Sequence, residues 1–163
     1  MATPAVTTIL NEIGARLAKI TTTNEYNYTV KKIDRGRLEP FNGYDLPAIN
    51  YWCTSLANER NVYNDDNRRL ELFIEIHSLT RDDPFIDIAN KLAADVVTVL
   101  NRATAAPKVS DTPSYELAGT VSDLVFNGYD FEIGVGEKPW CGVLVRFSIL
   151  YQTNPYDMTS YAP

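Results

Sequence analysis

One run near the end of the chain limits the folds that this sequence can adopt. Residues 140–151 alternate strictly between two sets of side chains, and the more apolar set is Cys141, Val143, Val145, Phe147, Ile149 and Tyr151. Successive side chains of a β-strand point to opposite faces, so this period of two predicts a long strand with that set buried. The same period over Leu70, Leu72, Ile74 and Ile76 predicts a half-buried strand at about residues 69–77. The fold is therefore expected to be built on a sheet.

Two segments have helical periodicity. The first is predicted to run from Pro4 to Lys19, with polar residues Asn11, Glu12, Arg16 and Lys19 opposite an apolar stripe. That stripe consists of Val6, Ile9, Leu10, Ile13, Leu17 and Ile20. The second is predicted to begin with Asp83 as N-cap and Pro84 as the first helical residue, and to end near Arg102.

The rest of the chain is predicted from composition and turn residues. Shorter strands are expected at 26–33 and 47–54, loops at 34–46 and 55–67, and a linker at 103–113. Asn127-Gly128 between two alternating runs predicts a β-hairpin with a type I′ turn. Strands that follow one another without a helix between them predict a mainly antiparallel sheet with two helices packed on one face. We therefore expect an α+β domain over residues 1–152 and an extended C-terminal arm at 153–163.

Composition places the chain among ordinary globular domains. It has 163 residues, of which 45% are hydrophobic and 22% are charged, and its formal net charge is −6. An acidic chain is a poor nucleic-acid coat, since binding to phosphates needs a basic surface. The sequence has neither an apolar run of about 20 residues nor a secretory signal pattern, so we expect a soluble protein with no membrane partner.

The negative charge is concentrated at one end of the sequence. Residues 1–109 hold 14 acidic and 13 basic residues, a net charge of −1, whereas residues 110–163 hold seven acidic and two basic residues, a net charge of −5. The basic residues cluster at Lys31, Lys32, Arg35 and Arg37 and again at Arg60, Arg68 and Arg69. Such a division can be a solvated acidic surface, or it can be the two halves of a head-to-tail interface between copies of the chain. The candidate acidic residues of that interface are Glu132 and Glu137, and Tyr156 and Tyr161 are candidate anchors in the arm.

Residues that could perform chemistry are few. His77 is the only histidine, and it is expected to have a structural role at the end of a strand. Cys53 and Cys141 are expected to be core thiols, although a disulfide between them stays possible. The acidic pairs Asp65-Asp66 and Asp82-Asp83 could bind a divalent cation, but neither has the spacing of a calcium loop. No catalytic, cofactor or metal site is predicted.

The order of these elements resembles that of the tail terminator (tail completion) proteins of tailed bacteriophages. The resemblance spans roughly residues 6–152, and it rests on the order of elements and on short phrases. These are the helix phrase Ile9-Leu10-Asn11-Glu12-Ile13, the phrase Leu46-Pro47-Ala48-Ile49 before a strand, the strand Leu70–Ile76, the helix opened by Asp82-Asp83-Pro84 with Ala89, Leu92 and Val96, and the closing strand Val143–Tyr151.

The resemblance implies a structural virion protein without enzymatic activity, assembled in the host cytoplasm. Members of that family form hexameric rings that cap the head-proximal end of the tail tube, stop its polymerisation and present a surface to the neck. The implied partners are further copies of the chain, the tail tube protein, the sheath where there is one, and neck or head completion proteins. Three alternatives stay open: a head–tail connector or neck completion protein, a small enzyme using carboxylates such as Glu71, Glu75 and Asp130, and a monomeric binding module.

Overall fold

The part of the chain that the structure describes contains two α-helices and a five-stranded sheet. The computed structural model describes residues 4–60, 66–79, 84–101, 121–134 and 140–153. In chain order the elements are α1 (Ala5–Leu17), β1 (Lys32–Arg35), β2 (Ala48–Arg60), β3 (Asp66–Leu79), α2 (Phe85–Leu100), β4 (Asp123–Gly134) and β5 (Trp140–Thr153). The strand order is β1-β2-β3-β5-β4; β1 is parallel to β2, and the other neighbours are antiparallel. The predicted α+β class with a mainly antiparallel sheet is confirmed.

The two central antiparallel strands have the alternation that the sequence predicts. Leu72, Ile74, Val145 and Phe147 are fully buried beneath the two helices, on what we call the covered face of the sheet. Neighbouring residues such as Phe73 are half-buried on the opposite side, the open face. Because every second side chain of both strands enters the same core, β3 and β5 form the centre of the fold.

Helix α1 packs through the predicted stripe but contains one buried cation. Ile9, Ile13 and Leu17 are fully buried, and Pro4 is the N-cap residue just outside the helix. Arg16, which we expected on the polar side, is also buried: its Nη1 donates to the carbonyl oxygen of Leu100 at 2.9 Å, and its Nε to Glu12 Oε1 at 3.1 Å. A cation at the C-terminus of another helix compensates the carbonyl groups that have no partner within that helix. Arg16 thus joins α1 to the end of α2.

Helix α2 begins one residue later than predicted. Pro84 is its N-cap residue instead of its first helical residue, and Pro84 O accepts from the amide groups of Asp87 and Ile88. The expected capping residue Asp83 and the expected linker at 103–113 lie outside the described residues.

The predicted strand at 26–33 is wrong for most of its length, because β1 covers only Lys32–Arg35. The backbone N–H groups of Asn27 and Tyr28 donate to the carboxylate of Asp95 on α2, each at 3.1 Å. A third bond, from Asn27 Nδ2 to Asp95 Oδ1, is 2.6 Å long. These donors bind a helix side chain instead of a neighbouring strand, so this segment lies against α2.

The predicted loop at 55–67 is also largely wrong. Strand β2 continues to Arg60 and β3 begins at Asp66, and the two strands pair from Ala48↔His77 to Arg60↔Asp66. A register shift between Cys53 and Leu56 interrupts the ladder. The polar composition of this segment misled the sequence interpretation, because backbone pairing along a long hairpin does not require apolar side chains.

The predicted turn at Asn127-Gly128 is a β-bulge instead. Both flanking runs belong to the single strand β4, and both pair with β5: Phe126 is opposite Phe147 and Gly128 is opposite Arg146. Asn127 is the extra residue, and its Nδ2 donates to Ser148 Oγ at 2.7 Å. Gly128 has a φ of 109°, which only glycine adopts readily, so the dipeptide supplies a bulge conformation in place of a reversal.

Candidate functional site

The first predicted basic cluster lies at the β1 edge of the sheet, and its members differ in availability. Lys31 and Arg35 are exposed, and Arg35 Nη1 donates to Asn11 Oδ1 on α1 at 3.0 Å. Lys32 is only partly exposed and lies 3.5 Å from Asp45 Oδ2. Lys31 and Arg35 therefore present most of the positive charge of this edge to the surroundings.

Arg37 orders the connection between β1 and β2. Its Nη1 is 2.8 Å from Asp34 Oδ2, its Nε donates to Glu39 O at 2.7 Å, and its guanidinium lies 4.9 Å from the centre of the Phe41 ring. The backbone N–H of Arg37 also donates to Asn50 Oδ1 at 2.9 Å. Arg37 is thus used within the chain, and its main contribution is to shape the loop at 36–47.

The second predicted basic cluster does not form a single surface. Arg68 is buried on the covered face, where its Nε donates to Thr153 Oγ1 at 2.8 Å, whereas Arg69 is exposed on the opposite face. Arg60 is the last residue of β2, and its backbone is opposite Asp66. Because consecutive residues of a strand point to opposite faces, Arg68 and Arg69 cannot meet one partner surface together.

Of the two acidic candidates, Glu132 lies at the other edge of the sheet, on β4, where Asp130 is a second acid of the same face. Glu132 is exposed, and Asp130 Oδ2 lies 2.9 Å from Arg146 Nη2 with both side chains substantially exposed. Both acids are opposite open-face positions of β5, namely Leu144 and Gly142. The remaining candidates, Glu137, Tyr156 and Tyr161, lie outside the described residues.

An aromatic surface that the sequence interpretation missed lies on the covered side of β4. Its members are Phe126, Tyr129 and Phe131, which are 40%, 37% and 42% exposed, and we call it the β4 aromatic patch. The ring centres of Tyr129 and Phe131 are 5.3 Å apart, and those of Phe126 and Tyr129 are 6.3 Å apart. Tyr129 Oη donates to Asn90 Oδ1 on α2 at 2.9 Å, which fixes its orientation. The helices cover the centre of the sheet but leave these rings open to a partner.

The sequence shows only part of this patch, because Phe126 joins Tyr129 and Phe131 on one face only through the bulge at Asn127. Positions 129 and 131 alternate with the acids at 130 and 132, so one apolar and one acidic side was readable. The bulge at Asn127 aligns Tyr129 with Phe126 on one face, whereas the expected turn placed the two runs on separate strands.

A cavity lies on the open face at the end of β3. Its volume is about 410 Å³, and it is lined by Pro40, Phe41, Gly43, Leu46, His77, Leu79 and Trp140. The His77 ring lies between Phe41 and Trp140, with ring centres 5.9 Å and 5.1 Å away, and its Nε2 is 3.1 Å from Glu75 Oε1. His77 is thus a half-buried residue near the end of the strand, with aromatic neighbours on both sides.

The carboxylates considered for an enzymatic role have separate partners. Glu71 accepts a hydrogen bond from Ser148 Oγ at 2.9 Å, Glu75 is beside His77, and Asp130 is beside Arg146. Among the described residues, no group of three or more histidine, cysteine, aspartate or glutamate side chains could hold a metal ion. Asp65, Asp82 and Asp83 lie outside those residues.

The two cysteines are free thiols on the covered face. Cys141 is buried in β5 and Cys53 is half-buried in β2, and β3 separates the two strands. Burial raises the pKa of both thiols above the ordinary value. Both therefore behave as small apolar core residues, as the sequence predicts.

Comparisons with known proteins do not assign the chain to a family. No protein-family model matches the sequence, and no curated protein is found to be similar to it. Neither of the two described helices is long and apolar enough to cross a membrane.

Proposed function

We propose that this chain is a ring-forming virion assembly protein, a tail terminator that caps the tail tube, stops its polymerisation and presents the surface for joining the head. One observation supports self-assembly above all others. The cations Lys31, Lys32 and Arg35 lie at the β1 edge of the sheet, and the exposed acid Glu132 lies on β4 at the opposite edge, on the same face of the sheet as Lys32. The specific role in the tail is supported by the resemblance in element order described above.

Opposite charges at opposite edges favour a head-to-tail arrangement. The two outer strands are separated by three others, about 19 Å at the usual spacing between strands, so the two edges cannot meet within one chain. Between copies, each basic edge can meet the acidic edge of the next copy. Head-to-tail contacts close into a ring when the rotation from one subunit to the next is a whole-number fraction of 360°. A ring of six copies needs a rotation of 60° at each contact.

The assembly state can be measured on the intact protein. Light scattering coupled to size exclusion should give a mass near six subunits at low salt, and a smaller mass at about 0.5 M salt, since salt screens contacts between exposed charges. Reversing the charge of Lys31, Lys32 and Arg35 together should likewise lower the mass at low salt, whereas Arg37 is left unchanged because it orders its own loop. Lys91→Glu, on the exposed surface of α2, is the control and should leave the mass unchanged.

The proposed role is tested by electron microscopy of the chain mixed with polymerising tail tubes. A terminator should appear as a ring at one end of each tube, and it should stop elongation there. Tubes that elongate unchanged and carry no density at either end would refute the role. Density that binds the head portal instead of the tube would favour the connector or neck completion protein.

A further inference from the structure

The two outer strands have orientations and registers that suit each other. Strand β1 runs parallel to β2, and each following neighbour is antiparallel, so β4 runs opposite to β1. Neither strand has a further neighbour on its outer side within the described parts of the chain. Copies placed side by side in one orientation would therefore bring β4 of one copy against β1 of the next as an antiparallel pair.

The residue pairing across the sheet fixes which residues of β1 and β4 lie at the same height along the strand direction, and we call this height the level of a residue. Lys32 is joined through Ala48, His77 and Gly142 to Glu132, and Arg35 is joined through Tyr51, Ile74 and Val145 to Tyr129. The four residues of β1 thus lie at the same level as the segment 129–132 of β4. No shift along the strands is needed to bring the two segments together.

From this register we infer that residues 129–132 of one copy pair as an antiparallel strand with Lys32–Arg35 of a second copy, so that the sheet continues from subunit to subunit. The inference rests on the proposed self-assembly and names the surface that performs it. It places Lys32 opposite Glu132, and Arg35 opposite Tyr129. Strand addition at an open edge satisfies unpaired backbone groups, while the side chains determine which partner is accepted.

The side chains on the covered side are complementary in this register. Ile33, which packs against the core, is opposite Phe131, so the β4 aromatic patch would lose part of its exposed area to the neighbour. The Arg35 guanidinium would lie beside the Tyr129 ring, where a cation–π interaction between the two side chains is favourable.

The open side is compatible with the same register. Lys32 would be close to Glu132, which is exposed. Asp34 would be opposite Asp130, but each of these carboxylates already has an arginine of its own chain, Arg37 for Asp34 and Arg146 for Asp130. Those two ion pairs reduce the repulsion that two aspartates would otherwise cause.

Cysteine cross-linking tests the register directly. The double variant Lys32→Cys/Glu132→Cys, mildly oxidised after assembly, should give a covalent ladder of dimer, trimer and larger species on a denaturing gel. Directly opposite residues in an antiparallel pair are within reach of a disulfide. The parental chain, which carries Cys53 and Cys141, and each single variant should give no ladder, because a head-to-tail contact joins two different edges.

Light scattering of the same samples separates this inference from the proposed function. Assembly without a ladder in the double variant, or in the equivalent Arg35→Cys/Tyr129→Cys variant, would overturn the register and leave self-assembly standing. Dimers formed by Glu132→Cys alone would show that two β4 edges meet, which also overturns the inference. A chain that stays monomeric and uncross-linked, with and without tail tubes, would overturn both.

A matched pair of substitutions tests the aromatic patch. Phe131→Lys should raise the concentration needed for half-maximal assembly by about fivefold, which corresponds to the loss of one well-packed cross-strand contact. Val125→Lys is the control, because Val125 is 41% exposed on the same strand but on the opposite face and outside the paired segment. Equal effects of the two substitutions would contradict the proposed docking of β1 on the patch.

Discussion

The two faces of the sheet differ in the contacts that their side chains make. On the covered face, Ile74, Val145 and Phe147 are shielded from water by two helices and pack into a single apolar core. On the open face, Glu75, Arg146 and Ser148 are half-buried and make local polar contacts with His77, Asp130 and Glu71. Most of the apolar burial that stabilises the fold therefore lies on the covered face, whereas side chains of the open face depend on local polar and aromatic contacts.

The largest effect is expected from a truncation on the covered face. Phe147→Ala should reduce the free energy of unfolding by about 3–5 kcal/mol, because it removes a fully buried ring and leaves a cavity between the sheet and the helices. Urea unfolding followed by circular dichroism measures this change. A loss below about 1.5 kcal/mol would mean that the covered face is not packed as the structure indicates.

The next effect concerns a polar group within the helix layer. Asp95→Ala should cost about 2–3 kcal/mol, because the amide groups of Asn27 and Tyr28 lose the charged acceptor that holds this segment to α2. Faster amide hydrogen exchange at these two residues would locate the loss. Asp87→Ala, at an exposed position in the first turn of the same helix, is the control and should cost less than about 1 kcal/mol.

A smaller effect is expected for the same truncation on the open face. Phe73→Ala should cost about 1–2 kcal/mol, since Phe73 is half-buried and stacks on Trp52 with ring centres 5.8 Å apart. The tryptophan emission should also change in the folded variant. If this variant were as unstable as Phe147→Ala, the contrast between the two faces would be wrong.

The smallest effect is a dependence of stability on alkaline pH. Burial raises the pKa values of Cys53, Cys141 and Tyr51 above 9.0 for the thiols and 10.0 for the phenol. The unfolded chain loses these protons first as the pH rises, so their contribution to stability is complete below about pH 9 and declines above it. Urea unfolding between pH 8 and 10.5 should show the decline, and Tyr51→Phe should reduce its slope. A flat profile would contradict the burial of these groups.

The sequence predicted the elements whose periodicity is set by burial. The strands β3 and β5 and the two helices were found because one side of each faces the core, and that burial leaves a regular trace in the sequence. The composition of the segment at 26–33 predicts a strand. It does not reveal that the backbone N–H groups of Asn27 and Tyr28 donate to Asp95, nearly seventy positions away.

The candidate interface was only partly accessible to sequence reasoning. The charge asymmetry drew attention to Lys31, Arg35 and Glu132, which are exposed in the structure, but it could not show that Arg68 is buried or that Arg37 is used within its own loop. Which charges stay exposed depends on tertiary contacts. The relative level of β1 and β4 depends on three intervening strand pairings, and no local sequence signal contains that information.

The bulge at Asn127 has a consequence for how this chain can tolerate changes in length. It absorbs one residue, so the acids at 130 and 132 and the rings at 129 and 131 keep their respective sides of β4. A strand that paired Asn127 in line would exchange the two sides from that point to its end. Deleting Asn127 would instead produce a regular strand with both sides preserved. Residue 127 is therefore a position where related chains can differ by one residue and still present the same edge to their neighbours.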